Sequence, residues 1–87
     1  MRFTVEERHL TDMSGRPVAA PGVVQFHQCD GETLDDAVRL FVRDAQAELM
    51  GDVLKFPGFQ AVATVRKATG VYTLQFTPSS ERNLRAR

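Results

Sequence analysis

Few residues in this chain have side chains able to do chemistry, and one cluster holds the best of them: His27-x-Cys29-Asp30. Neutral imidazole and thiolate both bind zinc, and residues i and i+2 of a strand share a face. A structural zinc site, however, takes four such ligands. The other histidine, His9, is expected at the far end of the same hairpin and on its opposite face. No metal site is therefore expected. A nucleophilic Cys29 would need a positioned base and oxyanion donors. His27 beside it on a flat sheet face supplies neither a pocket nor those donors.

The carboxylates come as neighbours, Glu6-Glu7 and Asp35-Asp36. Adjacent strand residues point to opposite sides, so Glu6 and Glu7 cannot act on one substrate. Asp35 and Asp36 suit the first turn of a helix, where they complement its dipole. There is no GxGxxG and no phosphate loop. The chain is expected to carry no catalytic residue, no cofactor and no metal.

The cations suggest a different chemistry. Arg66 and Lys67 fall at a hairpin tip, and Arg82, Arg85 and Arg87 follow it. These five form the candidate anion-binding set, because arginine grips phosphate through a planar fork. The charges are also segregated: Asp30, Glu32, Asp35, Asp36, Asp44, Glu48 and Asp52 precede this basic half. Two observations weigh against a nucleic-acid binder. The outward face of that hairpin has no aromatic for stacking, and the formal net charge is zero, whereas a dedicated binder is usually basic. The same face carries Val62, Thr64, Val71 and Thr73 with Arg66 as its one ion, which makes it the candidate association face for a second copy or another protein.

These residues must be positioned by a short list of elements. Residues 2–9 alternate as a strand, with Phe3 and Val5 on one side. A long connection, Thr11 to Gly22, leads to a second strand over 23–29. Aligning Val5 with Phe26 and Glu7 with Val24 gathers Phe3, Val5, Val24 and Phe26 on one face. From Thr33 to Met50, Leu34, Val38, Phe41, Ala45 and Leu49 recur at helical steps. Thr33 is the expected N-cap, with Asp36 answering it, and Gly51 the expected end. Residues 52–58 leave two readings open: an apolar loop or a short extra strand. Beyond them a second hairpin sets Ala61 opposite Phe76, Ala63 opposite Leu74 and Val65 opposite Tyr72, around the loop Lys67–Gly70. Residues 81–87 read as a basic, mobile tail after a single domain of residues 1–80.

Eighty-seven residues suffice for one domain that buries roughly 60–65% of its unfolded surface. At 43% hydrophobic and 25% charged, the composition is that of globular proteins. The apolar runs are too short to span a membrane. The first residues lack the apolar stretch of a secretory signal, and the one cysteine fits a reducing compartment. The cytoplasm is the expected location. The expected fold is a two-layer α+β sandwich in ββαββ order. One amphipathic helix would cover a four-stranded antiparallel or mixed sheet. The β-grasp, with first and last strands parallel at the centre, is one arrangement of that order. The expected core adds Tyr72, Leu74 and Phe76 to Phe3, Val5, Val24, Phe26, Ala61, Ala63 and the helix stripe. The expected function is a small non-catalytic binding or protein-association module. Nucleic-acid or other polyanion binding comes second, and an enzyme whose site forms only at a subunit interface third.

Overall fold

A computed structural model describes residues 1–18 and 24–79. The elements are β1 (Arg2–Thr11), β2 (Val24–Asp30), α1 (Leu34–Asp44), β3 (Glu48–Leu49), β4 (Leu54–Phe56), β5 (Gln60–Lys67) and β6 (Gly70–Pro78). They form one helix on one six-stranded sheet in the order β2-β1-β6-β5-β3, with β4 also pairing β5. The α+β class is as expected, but the sheet has six strands rather than four. Residues 52–58 supply one addition: Leu54–Phe56 pairs as β4 before a turn at Pro57-Gly58. β1 and β6 do lie side by side near the centre, but antiparallel, so the β-grasp arrangement does not apply.

The β5–β6 hairpin takes the register its alternation requires: Ala61 opposite Phe76, Ala63 opposite Leu74, Val65 opposite Tyr72. Small residues against large ones fill one continuous layer. Lys67 and Gly70 themselves pair, so the turn is only Ala68-Thr69. Phe3, Val5, Val65, Leu74 and Phe76 are the largest fully buried side chains.

The helix begins where expected and stops early. Asp36 N–H donates to Thr33 Oγ1 at 3.1 Å, the N-cap bond. At the other end Gln46 adopts φ 55°. Gln46 N–H donates to the Arg43 carbonyl and Ala47 N–H to the Val42 carbonyl, both at 3.0 Å. That pair of bonds is a Schellman motif, with glutamine in the position glycine usually takes. Gly51 is therefore not the cap, and Leu49 leaves the stripe to pair with Val65 in β3. The buried helix face is Ala37, Val38 and Val42, with Phe41 set edge-on to Phe76 at 5.8 Å. Ala45 is only half-buried. A left-handed conformation costs a residue bearing a Cβ roughly 1–2 kcal/mol, part of which glycine returns as extra unfolded-state entropy. Gln46→Gly is therefore expected to stabilise the domain by about 0.5–1 kcal/mol, read as a higher urea midpoint with unchanged slope. A lower midpoint would contradict this end of the helix.

The β1–β2 register differs from expectation by one residue. Val5 pairs His27, Glu7 pairs Gln25, and Phe26 pairs Glu6. A one-residue slip exchanges the faces of a strand. Val24 and Phe26 therefore leave the core side, and His27 and Cys29 enter it. The reason lies in Glu7, which follows Phe3 and Val5 on the inner face and is 4% exposed. Lys67 reaches one Glu7 oxygen from β5 whatever the β1–β2 register. The observed register sets His27 Nε2 at 2.7 Å from the other oxygen, where a buried acceptor left without a donor costs about 1–3 kcal/mol, more when charged. Burying Phe26 would return about 1.5–3 kcal/mol, and the register that satisfies both oxygens is the one adopted.

Candidate functional site

The helix covers only part of its sheet face. Eleven residues of helix span about 16 Å, whereas the ten residues of β1 run about 33 Å. Phe41 contacts His27 at 5.4 Å between ring centroids and marks the border. Beyond it a polar cluster occupies the inner face. Its cavity of about 210 Å³ is lined by Glu7, His9, Gln25, Lys67 and Tyr72.

Glu7 organises this cluster. Lys67 Nζ donates to one carboxylate oxygen, and His27 Nε2 lies 2.7 Å from the other. An ionised carboxylate only accepts, so His27 Nε2 carries the proton and donates it. Lys67 also lies 4.7 Å above the centre of the Tyr72 ring, a cation–π contact. His9 stacks on the other part of this layer, 4.2 Å from Tyr72 and tilted only 8°. Burial pushes the Glu7 carboxyl up. The bonds from Lys67 and His27, with their charges, outweigh burial and hold it below the usual glutamate value. Glu7 is thus held as an anion with both oxygens engaged. A carboxylate in that state is a poor proton donor and a weak base.

Cys29 shares the inner face of β2 with His27, as the i, i+2 spacing requires. Burial pushes its thiol pKa up, and the nearby Asp30 charge adds to this. An activated nucleophile needs the opposite shift. Among the described residues, no group of three His, Cys, Asp or Glu side chains is placed to hold a metal.

The candidate anion-binding residues do not converge. Arg66 points to the outer face, where it meets Glu48 at 2.6 Å. Lys67 points to the inner face and is held by Glu7. The sheet itself separates them, and each is already paired with a carboxylate. Arg82, Arg85 and Arg87 lie outside the described residues.

The outer sheet face does bring its candidates together. Thr64 pairs Thr73, and Val62 and Val71 lie on the same face in the neighbouring pairs with Gln75 and Arg66. Two apolar groups flank them that the sequence reading did not place there. On one side Phe26 stands 67% exposed on β2. On the other, Leu54 pairs Val62 and Phe56 pairs Gln60, so both share this face, 58% and 49% exposed. The i, i+2 spacing of Leu54 and Phe56 before Pro57-Gly58 was the available signal, since it is a strand period ending at a turn. Beside them Phe59 is exposed with φ 58°. That conformation is an outlier for a bulky residue. Among the described residues α1 covers the inner face, and no element covers the outer one. The ions on it are paired within the chain: Arg8 with Glu6 at 2.8 Å, Arg66 with Glu48 at 2.6 Å and Arg2 with Asp30 at 3.3 Å.

No family model, curated protein or solved structure matches this chain. No helix among the described residues is long and apolar enough to cross a membrane.

Proposed function

We propose that this chain is a non-catalytic protein-association module and that it binds through the outer face of its sheet. The observation that carries this reading is the exposure of Phe26, Leu54 and Phe56 on a sheet face that no described element covers. Antiparallel sheets often leave one face to water, but that face is then polar. Phe26 stands at one edge of this face and Leu54 and Phe56 at the other, and large apolar side chains exposed on both sides of an uncharged centre fit an interaction surface. The four central residues, Val62, Thr64, Val71 and Thr73, are half-buried and uncharged, which suits the middle of an interface. Polyanion binding draws no support from Arg66 or Lys67, whose charges are taken up by Glu48 and Glu7.

Crosslinking in the native cell tests the reading, with wild type compared against Phe56→Lys. Phe56 is exposed, so the fold should persist. The wild-type chain should crosslink to a protein, itself included, in a nuclease-resistant manner. The variant should lose that product. A product that survives Phe56→Lys unchanged, or disappears on nuclease treatment, would overturn the assignment.

A further inference from the structure

We infer that the occupant of this face is a second copy of the chain, stacked outer face to outer face about a two-fold axis along β6. The inference rests on the association reading above and adds the partner and its geometry.

Charge argues for an identical partner. The face pairs its own ions, Glu6 with Arg8 and Glu48 with Arg66. It therefore offers no net field to select a charged partner, and two such faces meet without repulsion. A two-fold interface must be self-complementary in this way.

The placement of the apolar side chains argues for the axis. Across the sheet one row of outer residues runs Phe26, Glu6, Gln75, Val62, Leu54. Its two ends are apolar and Gln75 of β6 is its midpoint. A two-fold along β6 turns the row end for end. Phe26 of each copy then lies over Leu54 of the other, and Gln75 meets its counterpart at the axis. Both exposed apolar ends are covered at once, and neither is left over. Sheets stacked this way form an aligned sandwich, about 10 Å between layers.

The area is adequate. The path across the sheet is five strands wide, spaced about 4.8 Å apart, and the outer rows cover about 25 Å of strand. The projected face is about 600 Å². Side-chain relief brings it near the roughly 800 Å² per partner of a standard interface.

Two single variants decide the matter by sedimentation at up to hundreds of micromolar. Phe26→Arg and Leu54→Glu each change an exposed side chain, so circular dichroism should match wild type, and so should the urea midpoint at concentrations low enough that wild type is monomeric, since dimerisation itself adds stability. Wild type should sediment as a dimer. Each variant alone would set a charge against an apolar side chain at two equivalent contacts. At about 10-fold per contact its dimer should be about 100-fold weaker. An equimolar mixture should recover the dimer. One contact then joins the introduced guanidinium to the introduced carboxylate, and the other keeps Phe26 over Leu54. Stacking about an axis across the strands keeps β2 over β2 and β4 over β4, so mixing relieves like charges without forming the guanidinium–carboxylate pair and recovery stays partial, and edge-to-edge pairing through β2 leaves Leu54→Glu dimeric on its own. A wild type that stays monomeric overturns the second copy as occupant and leaves the association reading to another protein. A wild-type dimer whose variants recover only in part, or not at all, on mixing overturns the axis. Variants that dimerise like wild type overturn the face itself.

Discussion

Gly70→Ala is expected to destabilise the domain by more than about 3 kcal/mol, enough to unfold a marginal protein of this size at moderate temperature. Two independent effects add. Gly70 sits at φ 135°, in a region populated essentially by glycine, where a side chain costs about 1–3 kcal/mol. A Cβ there would also overlap the Thr11 carbonyl oxygen, approach His9 Nε2 to 2.8 Å and reach Asp12 Cα at 3.0 Å. None of these neighbours is free to move. Thr11 is fixed by its pairing with Val71 and by the bridge to Pro17, and the His9 ring is stacked on Tyr72. Relief therefore means separating β1 from β6, the central pair of the sheet. Gly15→Ala supplies the control. It too has positive φ, at 86°, but open space around it, so it should lose only about 1 kcal/mol of backbone preference. Urea titration of both variants measures the difference. Equal midpoints would show that the close approach at Gly70 is not as described.

The need for positive φ at Gly70 was legible in the sequence, because a glycine closed the loop of a strongly alternating hairpin. Its contact with Thr11 was not legible, since it depends on which strand lies beside β6. The same division runs through the fold. The β5–β6 register follows from alanines opposite large side chains, a pattern contained within one hairpin. The β1–β2 register brings His27 to Glu7, whose other oxygen is held by Lys67, sixty residues away. Apolar patterning alone favoured burying Phe26. The cost of leaving one oxygen of a buried carboxylate without a donor opposes that preference. Reading Glu7 as the next inward residue after Phe3 and Val5 would have signalled the need for a cation nearby. The helix end failed for a local reason. The stripe positions Ala45 and Leu49 continue the helical period, but a Schellman turn at Gln46 needs no glycine signal and overrides it. The proposed association face was half legible. Val62, Thr64, Val71 and Thr73 were found from one hairpin, whereas Phe26, Leu54 and Phe56 join them only through strand pairings with β1 and β5.

The Glu7 cluster makes the second large prediction, and it carries a pH signature. Glu7→Gln keeps the shape of the side chain and removes its charge. The amide oxygen can accept from Lys67 or from His27, but its NH₂ group must then face the other donor. Breaking a fully buried pair costs about 3–5 kcal/mol. Lys67 and His27 keep 24% and 35% of their side-chain exposure and can turn toward water, so about 2–3 kcal/mol is expected at pH 7. The folded carboxyl titrates below the ordinary glutamate value of 4.5. Its contribution is therefore complete above that value and is lost as pH falls through the lower, folded one. Wild type should exceed the variant at neutral pH and at about pH 5, and the margin should shrink in more acid solution, as pH falls through the folded value. Other carboxylates, Asp12 among them with its own lowered value, titrate in both proteins and cancel in the difference. Lys67→Met alone leaves Glu7 with His27 as its one donor, and should also destabilise. The double variant should cost less than the sum of the two, because a charge removed together with its partner leaves nothing buried and unpaired. Urea titrations of the four proteins from pH 7 to pH 3.5 would measure all of this. A wild-type margin that does not change across the acid range would mean that Glu7 is not held as an anion, and would remove the reason offered for the β1–β2 register.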